Sequence, residues 1–136
     1  MNNTRYATVI HILVLLAKSP GAWLSSEWMA ASINVNPVVV RRELAHLVKR
    51  GWVTSRKGKE GGIRLAVSPA EVKLGEVYLL IRNSDVLGKR NLHPNPECPV
   101  GRKINQVLEG LSADTDEVVV TALNRQSLAD LITEFE

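Results

Sequence analysis

The chain of 136 residues has one cysteine, Cys98, and few aromatic residues: three Trp, two Tyr and one Phe. A single cysteine excludes an intramolecular disulfide framework and an iron–sulfur cluster held by this chain's thiols alone. Long apolar runs are also missing. The longest, Ile12 to Ala17, has six residues, against about 20 for a spanning helix, so no membrane partner is expected. The stretch Met1-Asn-Asn-Thr-Arg5 lacks the apolar core and cleavage site of a secretory leader. A cytoplasmic location is expected. There is no Gly-rich phosphate loop. His11, His46 and His93 share no ligand spacing with each other or with Cys98, so neither metal nor other cofactor is expected. Ser, His and acidic residues form no catalytic constellation, and the chain reads as a non-enzyme.

Acidic residues are scarce in the first half. Residues 1–68 hold 10 Lys/Arg and 3 Asp/Glu, whereas residues 69–136 hold 7 and 11. The formal net charge of +3 thus combines a half at +7 with a half at −4. A basic half joined to an acidic one points to one surface for a polyanion and another for something else.

Tyr6 to Ala17 is apolar except for Thr8 and His11. A helix so apolar all round is buried on more than one side, which predicts packing against a partner chain, with Ile10 and Leu13 at that contact. Trp23 to Ile33 reads as a second, short helix opened by Leu24-Ser25-Ser26-Glu27, with Trp28, Met29 and Ile33 facing inward. After Asn34-Val35, Asn36 and Pro37 supply a cap and a first helical residue. The third helix then runs to about Arg50 and closes at Gly51. Val40, Leu44 and Leu47, with Val48 beside them, form its inward stripe. Val38, Arg41, Arg42, Ala45 and Lys49 face out. Two short helices joined by a tight turn form a helix-turn-helix. Trp52 to Arg56 and Ile63 to Val67 read as strands around the turn Lys57 to Gly62. A hairpin in that place is a wing.

Leu74 to Ile81 reads as a further helix, and residues 83–99 as a loop containing Cys98. From Val100, apolar residues recur at helical spacing: Ile104, Val107, Leu108, Leu111. This is one long helix, or two broken near Asp114. Ser127-Leu-Ala-Asp130 resembles a capping box for a last short helix. The expected fold is mainly α, a winged helix-turn-helix with a two-stranded β wing and a long C-terminal dimerisation helix. Its parts are a DNA-binding domain (1–82), a loop (83–99), and the dimerisation and C-terminal helices (100–136).

Arg41 and Arg42 lie one turn into the third helix, where helix-turn-helix proteins meet base edges. Arginine suits the two acceptors of guanine, and Val38 suits a thymine methyl. The competing role is an ion pair with Glu27 or Glu43. Lys49 extends the same face. Arg56, Lys57, Lys59 and Arg64 line the wing and suit phosphate. Ser25 and Ser26 are candidates for backbone phosphate, though capping is the plainer role. Asn36 is a cap that aims the recognition helix. Cys98 stands at a helix start near Arg102 and Lys103, a setting that favours the thiolate, and is the candidate redox sensor. Its plainer role is packing.

With these residues in view, the chain resembles the Rrf2 family of bacterial winged-helix transcription regulators along nearly its whole length. The apolar first helix, the segment Asn34-Val-Asn-Pro-Val-Val-Val-Arg-Arg42 and the wing Gly58-Lys-Glu-Gly-Gly-Ile-Arg-Leu-Ala66 carry the likeness. Asn95-Pro-Glu-Cys-Pro-Val-Gly101 is similar to a subgroup that keeps only the central cysteine. The resemblance implies a homodimer with a long helix crossing to the partner, a palindromic double-stranded DNA operator, and usually repression. Members that bind an iron–sulfur cluster carry three close cysteines in this loop; here only Cys98 stands. Thiol-sensing members often pair that cysteine with a second, which this chain lacks. Two other readings compete: a winged-helix protein–protein module without DNA binding, and a thiol enzyme using Cys98.

Overall fold

A computed structural model describes residues 3–136. Met1 and Asn2, part of the stretch read above for a leader, lie outside the described residues. Helix α1 (Arg5–Lys18) buries Thr8, Val9, Ile12, Leu13, Val14, Leu16 and Ala17. It does so inside its own chain. Helices α2 (Ser26–Ile33), α3 (Pro37–Arg50), α4 (Leu74–Ile81) and α6 (Leu128–Ile132) pack on it, as does strand β2 (Gly62–Leu65). Leu13, expected between chains, is therefore a core residue with no exposed surface. The cover assigned to a partner comes from this chain. Ile10 remains only partly buried.

Helix α2 begins three residues later than the apolar pattern predicts. Leu24 is held in extended backbone by Ile63, with which it exchanges hydrogen bonds of 2.9 and 2.8 Å. Those bonds satisfy groups that another helical turn would otherwise have to satisfy. Ser25 then caps α2, its Oγ accepting from the Trp28 amide at 3.0 Å. Met29 and Ala30 face the core, which turns the neighbouring Trp28 outward, 51% exposed, against the inward placement expected of it. Asn34, at φ 64°, turns the chain, and asparagine tolerates that left-handed conformation better than most residues. Asn36 Oδ1 accepts from the Val38 amide at 2.9 Å, and α3 starts at Pro37 as predicted.

Strand β1 (Val53–Arg56) pairs antiparallel with β2, placing Thr54 opposite Arg64 and Arg56 opposite Gly62. Both strands are shorter than expected. The third helix buries Val40, Leu44 and Leu47, but Val48 is 43% exposed and lies off the stripe.

Helix α5 (Pro99–Leu123) is a single helix of 25 residues. Gly110 sits on it with open space around it; one exposed glycine costs about 1 kcal/mol, too little to break it. The capping box at Ser127 and Asp130 forms as predicted. It starts α6, which folds back so that Leu128 is fully buried and its amide donates to the Val72 carbonyl at 2.8 Å. By packing, then, α6 belongs with the winged-helix core, although chain order groups it with α5. Among the described residues no helix is long and apolar enough to cross a membrane.

Candidate nucleic-acid interface

Helix α3 buries Val40, Glu43, Leu44 and Leu47. That spacing forces Val38, Arg41, Arg42, Ala45 and Lys49 to the opposite, exposed face. Glu43 is the unexpected member of the buried set, at 1% exposure. Arg5 Nε donates to both of its carboxylate oxygens, at 3.0 and 2.9 Å, and Arg5 also donates to the Ile81 carbonyl at 2.7 Å. One guanidinium thus ties the recognition helix to α1 and to the end of α4. It also excludes Glu43 as the partner of Arg41 or Arg42.

Arg41 has a different partner. Its Nη2 lies 2.5 Å from Glu27 Oε1, with both side chains more than half exposed. The Glu27 backbone amide, and then Arg41, hold that carboxyl below its ordinary pKa. An exposed pair adds little stability, but it fixes where the guanidinium points. Arg42 is exposed, and among the described residues no carboxylate pairs with it. Of the two candidate serines, Ser25 is exposed and spends its oxygen on the cap. Ser26 is buried, which removes it from the candidate phosphate contacts.

The wing turn depends on glycine. A Cβ on Gly61 would stand 2.0 Å from the Arg56 carbonyl oxygen, and one on Gly62 would stand 2.7 Å from the Leu24 oxygen. Lys57 and Lys59 are exposed in this turn. Arg56 and Arg64 are exposed too, but each has its guanidinium carbon over the Trp23 ring, at 4.4 and 4.2 Å from the centroid. Sequence reasoning missed Trp23 because it assigned that residue to α2. No local signal could have found it, since no arginine lies between Arg5 and Arg41 and the two that meet its ring come from the wing.

The other half of the chain is built differently. Cys98 is the N-cap of α5 and is exposed. The amides of Gly101 and Val100 hold its thiol below the ordinary value. The helix start therefore does what was expected, through backbone amides. Along α5, Ile104 and Leu108 are half-buried, while Val107 and Leu111 are 49% and 52% exposed. Asp116, by contrast, is buried. It accepts from the Val86 amide at 3.0 Å and from Tyr78 at 3.3 Å, and it pairs with Arg82.

A helix-turn-helix, a glycine-turned basic wing and an exposed cationic face on α3 define a winged-helix DNA-binding protein. Residues 2–134 match the family model of Rrf2, described as an iron-dependent transcriptional regulator. The chain belongs to the Rrf2 family and is a DNA-binding transcription regulator. It is 39% identical over 132 residues to YwnA of Bacillus subtilis, assigned as an HTH-type transcriptional regulator, covering 97% of each chain. It is 36% identical to a crystal structure assigned as a DNA-binding protein, with TM-score 0.74, covering 94% of this chain and 98% of that one. The structure of CymR, the global cysteine regulator of B. subtilis, shares the fold at TM-score 0.71 and 18% identity, covering 98% and 97%. The residues present do not fit the iron of the family description. Cys98 is the sole cysteine, and among the described residues no three His, Cys, Asp or Glu side chains gather to hold a metal.

Proposed function

We propose that the chain acts in the cytoplasm as a homodimeric repressor that reads a palindromic operator and responds to thiol chemistry at Cys98. The exposed apolar stripe of α5 carries the dimer reading. Val107 and Leu111, continued by Val100 and Val118 at 68% and 69% exposure, leave more apolar surface open than a small soluble monomer usually shows. A second copy of the same stripe covers it in a two-fold pair. Each α3 then meets one major groove, and half-sites lie about 34–36 Å apart. Arg42 and Arg41 read bases with Val38. Lys49, Lys57, Lys59 and Ser25 meet backbone.

Cys98 is read as a modifiable thiol and not as an enzyme's nucleophile, since the sequence has no second cysteine to resolve it and no side-chain base contributes to its acidity. Its thiolate attacks a low-molecular-weight disulfide, forms one mixed S–S bond and releases the other half as thiolate. Fluorescence anisotropy on the chain's own upstream DNA, with one and with two half-sites, tests the reading. Two-site binding should be tighter and saturate at one dimer per site. Equal affinity for both duplexes, with a monomer in sedimentation, would reject it.

A further inference from the structure

Trp23 lies outside both helices of the helix-turn-helix and outside both strands, yet it meets two wing arginines at once. Its place is fixed by backbone. The next residue, Leu24, is bonded in both directions to Ile63, the neighbour of Arg64. Arg56 stands opposite Gly62 in register, and Gly62 lies against the Leu24 backbone, where a Cβ would stand 2.7 Å from its oxygen. Arg56 is steadied further by donating to the Glu60 carbonyl. Two guanidiniums repel each other, and each long side chain loses rotamer freedom when it binds an anion. An aromatic face attracts both cations and leaves their N–H edges available.

We propose that Trp23 is the positioning residue of the wing: its ring holds the Arg56 and Arg64 guanidiniums as a preformed receptor for a DNA backbone phosphate. Trp23 acts through the arginines and reads no base. Ordering them before DNA arrives removes part of the cost of binding. The inference rests on the placement of the wing at the DNA.

The experiment measures anisotropy with the chain's upstream duplex and with an unrelated duplex, for the full chain and its variants. Trp23→Leu keeps an apolar side chain but no ring, and should weaken binding to both duplexes by roughly tenfold. Trp23→Phe keeps a weaker ring and should lose only about threefold. In a background of Arg56→Ala with Arg64→Ala, neither change at Trp23 should matter further. Equal losses in the two backgrounds would overturn the inference, as would wild-type affinity for Trp23→Leu. If Trp23→Leu fails to fold, the two-background comparison with Trp23→Phe decides alone. If Arg56→Ala and Arg64→Ala leave affinity unchanged, the wing placement itself falls. If they weaken binding while the Trp23 variants do not, only the positioning role falls.

Discussion

Helices α1 and α5 both carry apolar residues that call for cover, and the chain treats them in opposite ways. Seven of the 14 residues of α1 are buried, and five of its own chain's elements surround it. In α5 only two of 25 residues are buried, Ser112 and Asp116, and both are polar. Val100, Val107, Leu111 and Val118 stay exposed while a carboxylate anchors it. An apolar pattern therefore says that a helix needs cover, without saying whose. For α1 the cover comes from its own chain; the exposed stripe of α5 has none there, and under the proposed reading a second copy supplies it.

The sharpest way to break this contrast is Val107→Glu combined with Leu111→Glu. A dimer held through α5 should split. Affinity for a two-half-site operator should then fall about 10²- to 10⁴-fold as the avidity is lost, while affinity for a single half-site holds. Sedimentation and anisotropy together read this, and an intact dimer would show that the stripe is not the interface. Leu13→Ala should behave in the converse manner. It should cost about 2–5 kcal/mol of folding stability, independent of protein concentration, in chemical denaturation. A concentration-dependent loss would return α1 to the interface.

The polar anchor of α5 makes a smaller, acid-limited difference. Burial alone raises the Asp116 pKa, but the Val86 amide and Arg82 outweigh it and hold the carboxyl below its ordinary 3.8. The folded value lies below the unfolded one, so the stabilisation is complete above about pH 4 and is lost as pH falls through the folded pKa. Asp116→Asn should flatten the acid limb of a stability–pH curve below that point and leave its slope near neutrality unchanged. A change of slope near neutrality would assign the effect elsewhere. Smallest of all, Cys98→Ser should leave operator affinity of the reduced protein unaltered, since the residue lies outside the helix-turn-helix and wing. It should abolish any response to oxidised low-molecular-weight thiol, measured as operator binding before and after treatment. The same response in both proteins would leave Cys98 as a surface residue.

The parts of the fold legible in sequence were those whose causes are local. Asn36 with Pro37, Gly51, and the Ser127–Asp130 box fix helix ends through neighbours one to four residues away. The outward set on α3 followed from helical spacing alone, and Val38, Arg41, Arg42 and Lys49 do share an exposed face. What stayed hidden was non-local. The start of α2 is set by Ile63, the cover on α1 includes a helix more than 100 residues away, and Glu43 is buried because Arg5 reaches it from 38 residues upstream. The sequence offered Glu43 only as a competing partner for Arg41 or Arg42. Its burial beside a cation is a pairing that no single segment announces.

The placement of the buried residues on α5 gives that helix the mechanics of a cantilever. Its far half is clamped: Ser112 and Asp116 are buried, and Asn124 Oδ1 accepts from the Gly75 amide at 2.8 Å. Its first 13 residues, 99 to 111, contribute no buried residue, and Asn105 reaches only the loop, donating to Asn91 O at 2.9 Å. That arm is about 20 Å long. A rotation of about 5° at the clamp therefore carries its tip through about 2 Å. Cys98 caps the tip. Under the proposed thiol chemistry, a group added at Cys98 would act at the end of that lever, farthest from the Asp116 anchor.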